Sequence, residues 1–89
     1  MHLILYSKPG CHLCEGLQEK LQEITSLNFD LEVRDITTRE DWWMAYQYEI
    51  PVLCLCESLD TENEQRLPRV SPRLTVQKLE QMLRQYLSN

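Results

Sequence analysis

Four residues carry most of the chemistry legible in this chain: Cys11-His12-Leu13-Cys14. Two thiols three apart lie on one face of a helix and close a disulfide within a single turn. A thiolate attacks disulfides, and a thiol does not. A helix N-terminus, with its unpaired N–H groups and roughly half a positive charge, favours the thiolate. The tetrapeptide has that position. It follows an apolar run, Leu3-Ile4-Leu5-Tyr6, and a turn, Ser7-Lys8-Pro9-Gly10, and it opens a stretch in which Cys14, Leu17, Leu21 and Ile24 recur at helical spacing. Cys11, at the helix start beside solvent, is the expected nucleophile. Cys14, one turn in and on the apolar stripe, is the expected resolving thiol. Lys8 and protonated His12 lower the pKa of a nearby thiol, and Glu15 opposes them.

Other uses of C-x-x-C have their own requirements. A c-type haem site needs His directly after the second Cys, and Glu15 stands there. A zinc site needs two more ligands, which Cys54 and Cys56 supply in principle. Two buried thiols can also act simply as small apolar side chains. A C-x-x-C placed after a strand and at a helix start favours redox chemistry over both.

The elements that position the pair follow in order. Leu3 to Tyr6 reads as a short strand buried on both faces. The first helix is predicted from about Cys11 to Thr25, with Gly16 either allowing a close approach or idle. Phe29 to Ile36 alternates, with Phe29, Leu31 and Val33 on one face and Asp30, Glu32 and Arg34 on the other, as a half-exposed strand does. A helix separates it from the first strand, so the two are expected to be parallel. Thr38 is the predicted N-cap of a second helix over Arg39 to Tyr46. Its Trp42 and Trp43 point about 100° apart and cannot both be fully buried. Val52 to about Glu57 is the next strand, with Cys54 and Cys56 on one face and Leu53 and Leu55 on the other. Both thiols read as buried apolar groups. Ser58 to Glu64 reads as a hairpin turn and Gln65 to Pro68 as a short edge strand. Arg66, Arg69 and Arg73 fall in a loop that is either solvated or an anion contact. The last helix starts best at Thr75, with Leu74 and Leu79 as a hydrophobic staple and Val76, Leu79, Met82, Leu83, Tyr86 and Leu87 as its stripe, and Ser71-Pro72 is a competing start.

The chain has 89 residues, enough for one small domain, and 43% apolar content supports one modest core. Nine basic against fourteen acidic residues give a net charge of −5, which argues against nucleic acid or an anionic membrane as main partner. No stretch approaches the roughly 20 apolar residues of a membrane span. Met1-His2 runs straight into the first strand, so the expectation is a cytoplasmic protein, where an exposed dithiol is catalytic or metal-binding more often than structural.

The order βαβαββα, the strand Leu3–Tyr6, the run Lys8-Pro9-Gly10-Cys11-His12-Leu13-Cys14 and Ile50-Pro51-Val52 resemble the thioredoxin superfamily. Within it the chain resembles the small glutaredoxin-like proteins, with C-H-L-C in place of the usual C-P-Y-C. The resemblance covers essentially residues 1–89 as a single domain. It implies an α/β thioredoxin/glutaredoxin fold, a four-stranded mixed sheet flanked by three helices. It implies a cis Ile50–Pro51 bond facing the dithiol, Ile50 offering backbone groups to an extended thiol substrate, and Lys8 near a glutathione carboxylate. Cis X-Pro bonds are a small minority in folded proteins.

One feature departs from the pattern. Glutaredoxins carry Gly-Gly before the last helix, where the backbone contacts glutathione; here the segment is Val70-Ser71-Pro72-Arg73. Its side chains, and proline's missing N–H, stand against that contact. The expected function is therefore a dithiol–disulfide oxidoreductase with Cys11 and Cys14 catalytic and Lys8, His12, Ile50 and Pro51 binding substrate. No tightly bound cofactor or metal is expected, and glutathione enters at most as a co-substrate. The expected partners are protein or small-molecule disulfides and an unidentified reductant, and the chain is expected to be a monomer. Two alternatives stand beside this reading: a metal or iron–sulfur protein using Cys11, and a non-catalytic binding module using the Trp42-Trp43 pair.

Overall fold

The computed structural model describes residues 2–56 and 64–87. Its core is a four-stranded mixed sheet in the order β2-β1-β3-β4, where β1 is His2–Ser7, β2 Asp30–Asp35, β3 Val52–Cys56 and β4 Gln65–Arg66. β1 runs parallel to β2, with Tyr6 opposite Arg34, and antiparallel to β3, with Ile4 opposite Cys54. β4 pairs antiparallel with the outer side of β3. The central strands are the two whose sequences are apolar on both faces, and Leu3–Tyr6 and Val52–Cys56 are all buried. Buried on both sides, they need a layer of helices on each.

Helices α1 (His12–Glu23) and α3 (Val76–Leu87) supply one layer. Leu17 and Leu21 of α1 and Leu79 and Leu83 of α3 cluster with Leu3, Leu5, Leu53 and Leu55 of the sheet. Thr75 caps α3, its Oγ1 accepting from the Lys78 N–H at 3.2 Å, and Leu74 packs on the same cluster as Leu79. Helix α2 (Glu40–Tyr46) covers the other face, where Trp42, Trp43 and Tyr46 pack on Ile4, Tyr6, Val52, Cys54 and Cys56. Each strand's alternation thus sorts its side chains between two cores. Among the described residues no helix is long and apolar enough to cross a membrane.

One expectation is corrected and two open readings are settled. Thr38 does not cap α2. Asp35 captures the chain first: its carboxylate accepts from the Thr37 N–H (2.9 Å) and hydroxyl (2.6 Å), and Ile36–Thr38 winds into a 3-10 turn. Helix α2 therefore begins at Glu40, with Arg39 as a cap that offers no side-chain acceptor. Val33 does not join Phe29 and Leu31 in the core; β2 is an edge strand, and the side chain is 43% exposed. Gly16 does not allow a close approach, because a Cβ added there meets nothing within 4 Å. The turn expected over Ser58–Glu64 lies outside the described residues except for Glu64.

Candidate functional site

β1 ends at Ser7, and the chain must reverse within four residues to start α1. Gly10 permits this with φ +82°, a conformation that costs other residues dearly. The Cys11 N–H closes the turn onto the Lys8 carbonyl at 3.3 Å. Cys11 is then the N-cap of α1: its backbone is extended, its carbonyl accepts from the Glu15 N–H at 3.0 Å, and its Sγ accepts from the Cys14 N–H at 3.2 Å. The sulfur thus stands where Ser or Asp stands in an ordinary cap. Cys11 and Cys14 are joined by a disulfide across a Cα–Cα distance of 5.3 Å. The two sulfurs differ in environment. Cys11 is partly exposed, and Cys14 is fully buried under α1.

The Ile50–Pro51 peptide bond is cis. Pro51 lines one groove together with Leu13, so it lies at the same end of the molecule as the dithiol. The Ile50 N–H is already used, donating to the Tyr46 carbonyl at the end of α2 (3.1 Å). Lys8 holds its ammonium 5.9 Å from the centroid of the Trp43 ring. The His12 side chain is 94% exposed, with Nδ1 3.6 Å from a carboxylate oxygen of the exposed Glu15. Such a surface pair contributes little. Cys11 and Cys14 are thus joined at the start of α1 and Pro51 shares a groove with Leu13 between them, while the Lys8 ammonium lies by Trp43 and His12 points to solvent.

Two features of this end were not read from the sequence. Leu13, between the cysteines, is 52% exposed. It forms the rim of a groove that continues over Gly16 and Leu17 to Val70, Pro72 and Leu74 in the loop before α3. The signal was an apolar residue one position off the helix stripe. Of the three arginines expected in a loop, Arg66 lies in β4, and it and Arg69 gather on Glu49: Arg69 Nη1 donates to its carbonyl at 2.9 Å, and Arg66 Nη2 lies 3.4 Å from its carboxylate. Arg73 is not part of this group; its backbone N–H bonds to the Ser71 hydroxyl.

The other face of the sheet holds a different set of polar groups. Tyr6 donates its hydroxyl to Glu64, and Arg34 bonds Tyr6 Oη (3.0 Å), Glu64 (3.2 Å) and Glu32. Burial, then the hydrogen bond to Glu64, raises the Tyr6 pKa well above its ordinary value. The hydrogen bond from Arg34, then that from His2, holds the Glu32 carboxyl below its usual range. Trp42 lies edge-on to Tyr6 at 5.8 Å, with the guanidinium groups of Arg34 and Arg39 at 5.1 and 4.6 Å. Both tryptophans are thus held by partners within the chain.

Cys54 and Cys56 belong to this second core. Burial, then the charge of Glu64, pushes the Cys54 thiol up to about 11. They lie across the sheet from Leu17 and Leu21, the helix face shared by Cys14. Among the described residues no group of three or more His, Cys, Asp and Glu side chains is placed to hold a metal ion.

The comparisons with known proteins agree with this arrangement. A family model described as a glutaredoxin-like domain (DUF836) matches residues 2–84. No curated protein and no solved structure matches the chain.

Proposed function

The chain belongs to the glutaredoxin-like domain family, and from that membership and the geometry of its dithiol we propose that it is a dithiol–disulfide oxidoreductase. The observation that carries the reading is the asymmetry of the Cys11–Cys14 pair: one sulfur in the cap position and partly exposed, its partner buried one turn in. Only the outer sulfur is open to a substrate, and only the inner one is held in reach of the outer.

In the reduced protein the Cys11 thiolate attacks a substrate disulfide, forming a mixed disulfide and releasing one substrate thiolate. The Cys14 N–H aimed at Cys11 Sγ, with the other N-terminal amides of α1, favours that thiolate by hydrogen bonding and by the helix dipole. Cys14 then gives up its proton to solvent and attacks Cys11 Sγ, expelling the second substrate thiolate. The substrate disulfide gains two electrons, and the protein is left with the Cys11–Cys14 disulfide. A thiol reductant reverses the cycle. Lys8 adds positive charge at the turn before Cys11, and His12 adds it when protonated. Pro51 lines the groove with Leu13, and Ile50 has its carbonyl left to offer a substrate backbone.

Glutathione fits this site poorly. The segment before α3 is Val70-Ser71-Pro72-Arg73, whose side chains and missing proline N–H stand where glutaredoxins offer glycine backbone. Lys8 is drawn to the Trp43 ring.

The test is trapping. Cys14→Ser accumulates mixed disulfides through Cys11, seen as added mass on the peptide carrying that residue. A Cys11→Ser variant that reduces disulfides as fast as the parent protein overturns the assignment.

A further inference from the structure

We propose that Arg69, braced with Arg66 on Glu49, is a positioning residue: it fixes the turn that carries the Ile50 carbonyl and so sets how fast a peptide disulfide reacts. The inference rests on the dithiol reading above and names a residue that orients a peptide at that same site.

The turn between α2 and β3 can be accounted for group by group. The Glu49 N–H (2.9 Å) and the Ile50 N–H (3.1 Å) both donate to the Tyr46 carbonyl, which ties the turn to the end of α2. Pro51 has no N–H to give. The Glu49 carbonyl is held from another part of the chain, where Arg69 Nη1 donates to it at 2.9 Å. Of the two peptide units that flank Ile50, its own carbonyl is the one polar group left among the described residues. The Glu49 carboxylate reinforces the grip, lying 3.7 Å from Arg69 Nη1 and 3.4 Å from Arg66 Nη2. Arg66 also lies 6.0 Å from the centroid of the Tyr46 ring. It belongs to β4, opposite Cys54 of β3, so the edge of the sheet holds the turn from outside.

This brace is badly placed to stabilise the fold. Glu49, Arg66 and Arg69 are all exposed, and ion pairs open to water contribute little. Geometry is where it acts. The Glu49–Ile50 peptide is bonded to Tyr46 through its N–H and to Arg69 through its carbonyl, so it cannot rotate without breaking one of the two. A displacement of about 1 Å in a group that aligns substrate costs rate steeply. The dithiol does not depend on the brace, because Cys11 is set by its own turn and cap. Loss of Arg69 therefore slows an oxidant that has a backbone to align and spares one that has none.

The experiment measures second-order rate constants for oxidation of the prereduced full chain, read by acid quench, alkylation and mass spectrometry. One oxidant is an uncharged peptide whose single cysteine is disulfide-bonded to 2-mercaptoethanol. The other is bis(2-hydroxyethyl) disulfide, which has no peptide backbone. Arg69→Ala is expected to slow the peptide about fivefold while the small disulfide stays within about twofold of the parent rate. Glu49→Gln keeps the carbonyl and removes the carboxylate, and it moves the ratio of the two rates in the same direction by less. Arg69→Lys retains a donor for the carbonyl and recovers most of the parent peptide rate. Lys78→Gln removes a positive charge from the exposed face of α3 and keeps the parent ratio. A parent ratio in both Arg69→Ala and Glu49→Gln overturns the inference and leaves the dithiol reading intact. So does an Arg69→Ala variant that slows both oxidants alike, or a Lys78→Gln variant that slows the peptide as much. A prereduced parent protein that neither disulfide oxidises overturns both.

Discussion

The chain holds two pairs of cysteines, and the fold gives them opposite chemistry. Cys11 and Cys14 are three apart at a helix start, where one turn brings their Cα atoms to 5.3 Å and lets a disulfide close. Cys54 and Cys56 are two apart in a strand, which sets their Cα atoms about 7 Å apart with side chains parallel, at the limit of what a disulfide spans. In the first pair Cys11 meets a backbone N–H and solvent. The second meets Ile4, Tyr6 and Ile36 in a core, where Cys54 is 1% and Cys56 0% exposed. Amides at a helix end favour the thiolate, and an apolar core with Glu64 nearby favours the thiol. Secondary structure, not residue type, therefore sets which cysteines are placed for exchange and which for packing.

Activity separates the pairs most sharply. Cys11→Ser is expected to lower the rate of disulfide reduction by at least about a thousandfold, since no other nucleophile stands at the cap. Cys54→Ala is expected to stay within about threefold of the parent. Insulin reduction followed by turbidity measures both.

Stability reverses the ranking. In the reduced protein, Cys54→Ser buries a hydroxyl among apolar groups and is expected to cost roughly 1–3 kcal/mol. That lowers Tm by roughly 5–15 °C for a chain of this size, read by thermal circular dichroism. Cys11→Ser under the same reducing conditions changes Tm by less, because a serine N-cap replaces a cysteine one.

The smallest effect is a pH slope. The Cys54 thiol is raised from an ordinary value near 9 to about 11 in the folded chain. The unfolded chain then loses this proton first as pH rises. The contribution of Cys54 to stability is complete below about pH 9 and is lost between about pH 9 and 11. Urea midpoints across that range are expected to fall less steeply for Cys54→Ala than for the parent. Tyr6 and Tyr46, also raised by burial, account for part of the slope that remains.

Much of this contrast was legible in the sequence because it rests on local patterns. Continuous apolar runs marked β1 and β3, and period two put Cys54 and Cys56 on one face. The stripe Cys14, Leu17, Leu21, Ile24 oriented α1 and with it the burial of Cys14. What escaped depended on competition or on pairing. At Asp35-Ile36-Thr37-Thr38 several side chains compete to cap a turn, and the carboxylate wins over Thr38. The Tyr6–Arg34–Glu64 network exists because the parallel register sets Tyr6 opposite Arg34, which no single segment encodes. The groove over Gly16 is built from α1, the residues at Pro51 and the loop before α3, three segments far apart in the chain.

The central claim is that one sulfur pair exchanges electrons and the other does not. It is tested most directly by equilibrating the protein in glutathione redox buffers of graded potential, quenching in acid, alkylating, and reading each cysteine by mass spectrometry. The account predicts a single two-electron transition, tenfold in the equilibrium constant per about 30 mV, in which Cys11 and Cys14 convert together while Cys54 and Cys56 stay thiols throughout. Cys11 and Cys14 failing to convert as a pair, or Cys54 and Cys56 oxidising in the same range, would contradict it.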